Sequence, residues 1–365
     1  MAIRPQPEAA IPAGGPGGAL PPSEPGAGAG DHGPWRLALR RFLRNRVAVA
    51  FLALFVLIVV FVLAAPLWAD HVAHTGPNET HTLQKLHVGG ETREVVTPEG
   101  KPIGPQWFEA DGRFFLGADS RLGRDEMVRL MYGGRTSLFI GVVSGLITTT
   151  LAVILGLLAG YHRGWVDAVI ARTLDVLWSL PVLLFGIAIG VSLALGGVTI
   201  GPIHIEGGSI WVPILIISIF YTPYVARPIR GEVLSLGEKE FVEAAIAQGA
   251  GPLRLMFGEI LPNLASTIIV FFALNIANNM LFEAALSFLG AGVQPPNSSW
   301  GTMITVGEEL LTTQPLLAII PGVMIMLTVL SLNIVGDGLR DALDPRSKVR
   351  LEARAGIAEP QGEPV

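Results

Sequence analysis

The chain has no cysteine among its 365 residues. That excludes disulfides, thiolate catalysis and cysteine-held zinc or iron–sulfur sites. Charge is scarce too: Asp, Glu, Lys and Arg make up 15%, where a soluble domain carries about a quarter. Half the residues are hydrophobic, and mean hydropathy is +0.53. A bilayer imposes this deficit, because charge at membrane depth is expensive. Also missing are a Gly-x-x-x-x-Gly-Lys-Ser/Thr phosphate loop, a Gly-x-Ser-x-Gly elbow and a His-Glu-x-x-His pair. The chain is therefore not expected to be an enzyme or to bind a cofactor or metal. The net charge of −5 averages over compartments, and no nucleic-acid partner is expected.

What is present is long apolar runs. A spanning helix needs roughly 20 mostly apolar residues. Six windows fit: 47–68, 137–161, 176–197, 209–226, 266–289 and 315–335. The third contains Pro181, read as a kink, and the fourth carries Pro213 and Pro223. The fold class is an all-α membrane protein with six transmembrane helices and a small extracytoplasmic segment between helices 1 and 2.

Lys and Arg in short loops set orientation. Basic residues precede span one (Arg36, Arg40, Arg41, Arg44, Arg46) and follow span six (Arg340, Arg346, Lys348, Arg350, Arg354). They also lie between spans two and three (Arg163, Arg172) and between spans four and five (Arg227, Arg230, Lys239, Arg254). Loops 198–208 and 290–314 have none. Both termini are expected to be cytoplasmic. Segment 69–136 must then lie outside; a loop that long crosses regardless of its charge. Within it, Arg93-Glu94-Val95-Val96 is β-prone, and 125–132 is read as amphipathic and lying along the membrane surface. Residues 1–34, rich in Gly and Pro, and 349–365 are read as disordered cytoplasmic tails. Residues 35–68 hold the basic lead and helix 1, and residues 137–348 form the permease-like core.

The informative loop is 227–264, above all its stretch 240–263. Glu240 to Gln248 are good helix formers. Gly249 and Gly251 permit a left-handed turn, and Pro252 suits the first position of a new helix. Pro262 is expected to stop that helix before span five. Ala244 and Ala245 are small enough for another backbone to come close.

This stretch resembles the Glu-Ala-Ala loop of bacterial ATP-binding-cassette importer permeases: Glu243, Ala244, Ala245, then Gly249, then Ile260, Leu261 and Pro262. Three more stretches resemble the second permease type of the dipeptide/oligopeptide/nickel branch. They are Leu116-Gly117-Ala118-Asp119-Ser120-Arg121-Leu122-Gly123-Arg124-Asp125 with Tyr132-Gly133-Gly134-Arg135-Thr136-Ser137-Leu138; Ala285-Leu286-Ser287-Phe288-Leu289-Gly290-Ala291-Gly292-Val293-Gln294-Pro295-Pro296 with Ser299-Trp300-Gly301; and Gly336-Asp337-Gly338-Leu339-Arg340-Asp341-Ala342-Leu343-Asp344-Pro345-Arg346. The resemblance implies half of a translocation pathway for peptides or related solutes, nickel complexes included. It implies as partners a homologous second permease, two ATP-binding subunits that hold the ATP and Mg, an extracytoplasmic solute-binding protein and the lipid of a bacterial inner membrane. The seven motif residues of the loop would form the coupling contact to the ATPases. The extracytoplasmic segment is longer than the family pattern.

Glu283 is the one acid inside a span. It is read as a pathway contact or as a paired or hydrated group near the outer interface. Asn275 and Asn279, on the same span, are four apart and share a face; they are read as interhelical hydrogen-bond partners or as pathway lining. His71, His74, His81 and His87 lack tight ligand spacing and are read as solvated. The alternative function is an ion-gradient-driven secondary transporter, a class that places several ionisable groups near midplane.

The topology is testable on a background free of native thiols. Cysteine at Gly207 should react with an impermeant thiol reagent from outside intact cells, and cysteine at Lys239 should not. The opposite labelling pattern would overturn the six-span orientation.

Overall fold

The computed structural model describes residues 34–343 except 89, 90, 108, 111, 120 and 121. The tails expected at 1–34 (Pro34 aside) and 349–365 lie outside the described residues, as do Ser120, Arg121, Asp344, Pro345 and Arg346 of the family stretches. The chain opens with a short basic helix, α1 (Pro34–Arg44), then α2 (Arg46–Leu63). Asn45 separates them and caps α2 by accepting a bond from the Ala48 amide at 3.1 Å. Helix α3 (Ala65–Trp68) and a π-turn (Ala69–Ala73) lead into the segment between helices 1 and 2.

That segment folds around its own core of Leu86, Val88, Val95, Phe114 and Ala118. It holds one antiparallel hairpin, β1 (Lys85–Val88) with β2 (Glu91–Glu94), in the register Lys85–Glu94 and Val88–Glu91. Asp119 accepts from the Leu122 and Arg124 amides and forms an ion pair with the Arg124 guanidinium at 2.5 Å. Asp125 then caps α4 (Glu126–His162) by accepting from the Val128 amide at 3.0 Å; its other oxygen accepts from the Phe114 amide at 2.6 Å. Burial holds the Asp125 carboxyl above the usual carboxylate range, and these amides pull the other way.

Residues 125–132 do not lie along the surface as expected. They are the cap and first turns of α4, a single helix of 37 residues and about 56 Å. The hydrocarbon core is about 30 Å thick, so α4 protrudes. Val128, Arg129, Leu130 and Met131 are buried there, which stabilises these turns by packing rather than by lipid.

The third apolar window also departs from expectation. It is not one kinked helix but two, α5 (Gly164–Ser179) and α6 (Val182–Gly196), bent by 82°. Pro181 forces this: the residue before a proline is driven out of helical space, and Leu180 sits at φ −79°, ψ 135°. Helix α6 alone is 15 residues, about 22 Å. A tight pair, β3 (Val198–Ile200) and β4 (Ile203–Ile205), joins it to α7 (Trp211–Leu236). Helix α7 runs ten residues past the expected end at 226, through Pro223 and Pro228. Its extension is held to α5, because Arg230 donates from Nε and Nη2 to the two carboxylate oxygens of Asp167 and Arg227 reaches Asp175 at 2.8 Å. Then follow α8 (Glu240–Ala247), α9 (Pro252–Arg254), a π-turn (Leu255–Ile260), α10 (Leu261–Phe288), α11 (Trp300–Glu308) and α12 (Leu316–Leu343).

Among the described residues five helical runs are long and apolar enough to cross a membrane, and six crossings result if the bent α5–α6 pair counts as one. Helix α4 is at the centre, packed on both α7 and α10. A Cβ at Gly156 would come within 3.0 Å of the Arg230 nitrogen and 3.1 Å of the Ala226 oxygen; one at Gly160 would meet Val233 at 2.7 Å. Such close backbone approach is how helices associate in lipid, where burial supplies little drive.

Gly156→Ala must push backbone rather than a side-chain tip. It should lower stability by about 1–3 kcal/mol. Gly231→Ala, in α7 with nothing within 4 Å, should be neutral or stabilising by up to about 1 kcal/mol. Thermal inactivation midpoints of the purified variants in detergent report the difference; equal midpoints would refute the close-packing account.

Candidate functional site

Helix α8 is short and stands on the packed ends of its neighbours. Val242 and Ala245 are buried, in one cluster with Ile229, Val233, Leu255 and Ile260. Phe241, Glu243, Ala244, Ile246 and Ala247 are exposed. The Glu-Ala-Ala triplet is therefore divided: Glu243 and Ala244 face out, while Ala245 faces the protein's own core. Only Ala244 of the two alanines is free for another backbone to approach.

The helix ends in a complete Schellman turn. The Gly249 amide donates to the Ile246 carbonyl at 2.9 Å, and the Ala250 amide donates to the Ala245 carbonyl at 3.0 Å. Gly249 takes φ +80° with nothing within 4 Å. Glycine is needed here for backbone conformation, not for space.

The chain then enters span five without a break. Pro262 does not stop the helix as expected; the run Pro252–Phe288 is continuous. Pro262 falls at the start of α10, after the π-turn in which the Leu261 amide donates to the Met256 carbonyl. A widened turn accommodates a proline, since the ring's missing donor and its bulk are taken up where the regular ladder is already interrupted. Leu255, Met256, Ile260 and Leu264 on this run are buried; Pro262 is exposed.

A second site lies at depth, along the α4–α10 contact. Glu283 is fully buried and accepts from the Ser137 hydroxyl at 2.9 Å and the Ser287 hydroxyl at 2.6 Å. One and two turns along, Asn279 donates to Ser144 at 3.0 Å and Asn275 donates to Thr149 at 3.2 Å. The side-chain oxygens of both asparagines accept nothing from the described residues. These three residues are thus brought together on one seam. Of its α4 partners, Ser137 falls within the first family stretch, whereas Ser144 and Thr149 carry no motif signal in the sequence. Ser137 and Ser144 are seven apart, the two-turn period of a helix face, and Gly141 and Gly145 on the same helix are the usual mark of a packing surface.

The family stretches meet at one end of this seam. The Trp300 amide donates to Ser137 at 3.1 Å, and the Trp300 indole donates to the Leu130 carbonyl at 2.9 Å. The fully buried indole lies against Gly134, where a Cβ would come within 2.6 Å of the ring. Ser287 accepts from the Val293 amide at 3.1 Å. Among the described residues, no group of three or more His, Asp or Glu is placed to hold a metal. His81 bonds Thr75 at 2.6 Å and His87 bonds Thr92 at 2.8 Å.

Glu283→Leu leaves the Ser137 and Ser287 hydroxyls without an acceptor, and an unmade buried bond costs about 1–3 kcal/mol. Its unfolding midpoint in detergent should fall well below wild type, while Glu283→Gln, which keeps shape and an acceptor oxygen, should stay close to it. A leucine variant as stable as wild type would contradict this role for the seam.

Comparison with known proteins places the chain. The family model described as "Binding-protein-dependent transport system inner membrane component" matches residues 152–349, more than half of the chain. The model for the N-terminal TM domain of oligopeptide transport permease C matches residues 33–85. The glutathione transport system permease protein GsiD of Pectobacterium atrosepticum is 37% identical over 315 residues, covering 86% of this chain and 92% of the relative. The oligopeptide transport system permease protein OppC of Haemophilus influenzae is 35% identical over 315 residues, covering 86% and 89%. The di/tripeptide transport system permease protein DppC of Pseudomonas aeruginosa is 37% identical over 309 residues, covering 84% and 90%. An inward-facing structure of the MetNI methionine transporter aligns at 16% identity and a TM-score of 0.49, over 60% of this chain and 97% of that one. The family match does not favour the ion-gradient-driven alternative. The chain belongs to the binding-protein-dependent transport system inner membrane components, the multi-pass inner-membrane permeases of ATP-binding-cassette transporters, in which ATP is hydrolysed by separate subunits.

Proposed function

We propose that this chain forms half of the translocation pathway of an importer for peptides or related solutes. The other half is a homologous permease. Two ATP-binding subunits, holding the ATP and Mg, dock on α8, and an extracytoplasmic binding protein delivers solute at the opposite end. Both termini lie in the cytoplasm. The names of the relatives, which refer to glutathione, oligopeptides and di/tripeptides, support the solute class.

One observation carries the mechanism. Helix α8 exposes Ala244 and Phe241, and a short turn at 248–251 links it to a continuous helix from Pro252 to Phe288. A displacement imposed on α8 therefore has only the hydrogen-bonded Gly249 turn to cross before a continuous helix carries it to the polar seam. Glu243, Ala244 and Gly249 present the docking surface and its turn. Ala245, Ile260 and Leu261 seat the loop on the core, and Pro262 sits where the run widens. Asn275, Asn279 and Glu283 hold α10 to α4.

Gly249→Val leaves every spanning residue unchanged but forces a β-branched side chain to positive φ, with strain of about 1–3 kcal/mol. Ala244→Glu puts a charge on the exposed face of α8. In membranes with matched subunit levels, both variants should lose solute uptake, through weaker ATPase docking or through hydrolysis without transport. Normal uptake with normal ATPase stimulation in both would reduce the loop to a linker.

A further inference from the structure

Helix α1 presents three different faces. Phe42 is buried against α12, where a Cβ on Gly338 would come within 3.2 Å of its ring; Ala48, Val335 and Ala342 complete that contact. Beside this face runs an uncovered apolar stripe. Trp35, Leu39 and Leu43 are 56%, 58% and 57% exposed at a spacing of four, and Val47 at 59% continues the row into α2. Next to the stripe, one position on each time, come Arg36, Arg40 and Arg44, all exposed. Arg46 is exposed as well. None of these four arginines has an ion-pair partner among the described residues, and residues 34–68 contain no acid.

We propose that α1 binds the anionic lipid headgroups of the leaflet at its end of the bundle. The stripe enters the acyl boundary, and the arginine row pairs with headgroup phosphates. Two observations favour lipid over a protein occupant. The stripe is continuous with the lipid-facing side of α2, whose Val56, Leu57, Val60 and Leu63 are 50–64% exposed. The charge beside it is of one sign over the whole helix. Helices with an apolar face and an arginine-rich flank lie in the membrane interface, and four or more basic residues next to a span attract anionic lipid. Because Phe42 is locked to α12, lipid bound to α1 also bears on the last span. The proposal rests on the membrane reading above but not on which side the N-terminus faces.

The test uses the full chain in proteoliposomes, with brominated lipid as a quencher of tryptophan. The contribution of Trp35 is the difference between wild type and Trp35→Phe. Brominated phosphatidylglycerol, as a minor component, should quench Trp35 about fivefold or more over brominated phosphatidylcholine at the same fraction. Salt at about 0.5 M should erase most of that preference. The triple variant R36Q/R40Q/R44Q should keep Trp35 in contact with lipid but quench equally with both. The triple variant R36K/R40K/R44K should retain the preference, which separates lost charge from lost folding. Equal quenching in wild type would overturn headgroup recognition. Absence of quenching by either lipid would show the stripe to be covered by protein and would overturn the proposal altogether. Both outcomes are independent of the thiol-labelling result that tests orientation.

Discussion

Helix α4 can approach α7 and α10 as closely as it does because the facing positions carry glycine or a small hydroxyl. In lipid the apolar surface of a helix gains little by burial against another helix. Association then depends on backbone-to-backbone contact and on hydrogen bonds with no water to compete. Gly156 and Gly160 provide the first towards α7; Ser137, Ser144 and Thr149 provide the second towards α10. The rest of the bundle is placed by these two contacts. Helix α12 packs on α10, α2 packs on α12, and α11 approaches α10 at Gly301 and α12 at Gly307. The hairpin segment in turn is fixed to α4 through the Asp125 cap.

The same two contacts give α8 its setting. Its N-terminal side connects to α7 and its C-terminal side runs into α10, and both of those helices rest on α4. Val242 and Ala245 seal α8 onto the joint between them. In the proposed mechanism a partner pressing on Ala244 therefore acts on two helices at once. The ion pairs Arg230–Asp167 and Arg227–Asp175 extend that unit to α5.

Much of this was legible in the sequence, and the failures share a cause. The multi-span helical architecture follows from hydropathy, and the helix and turn of α8 follow from the helix formers at 240–248 and from Gly249. Proline and surface residues mislead as local signals, because the packing around them decides their effect. Pro181 does end a helix, because its ring drives Leu180 out of helical space, to φ −79° and ψ 135°. Pro262 does not, because a π-turn and the buried Ile260 and Leu264 carry the helix across it. Residues 125–132 look amphipathic, yet they are covered by a segment whose fold no periodicity reveals. Ala245 looks like part of a docking surface because composition does not say which way a helix turns. The hydroxyl partners of Glu283 were invisible for a related reason: serine in a span has no fixed meaning until the facing helix is known.

Where charge sits follows from what it costs to bury. The described ion pairs gather at the two ends of the bundle. Arg163–Glu238, Arg227–Asp175 and Arg230–Asp167 lie at the α8 end, and Lys85–Glu94, Arg93–Glu91 and Arg124–Asp119 lie in the hairpin segment. Between them the polar contacts are hydroxyls and amides, with Glu283 the one acid, held by serines rather than by a cation. Coupling to an ion gradient needs a group at depth that exchanges its ion with each cycle. A carboxyl enclosed by Ser137, Ser287 and the buried Trp300 has no such access in this conformation. The interior contacts along the α4–α10 seam are hydroxyl and amide bonds and one serine-held carboxyl. Helix α8 connects to that interior through the Gly249 turn and then the continuous helical run Pro252–Phe288.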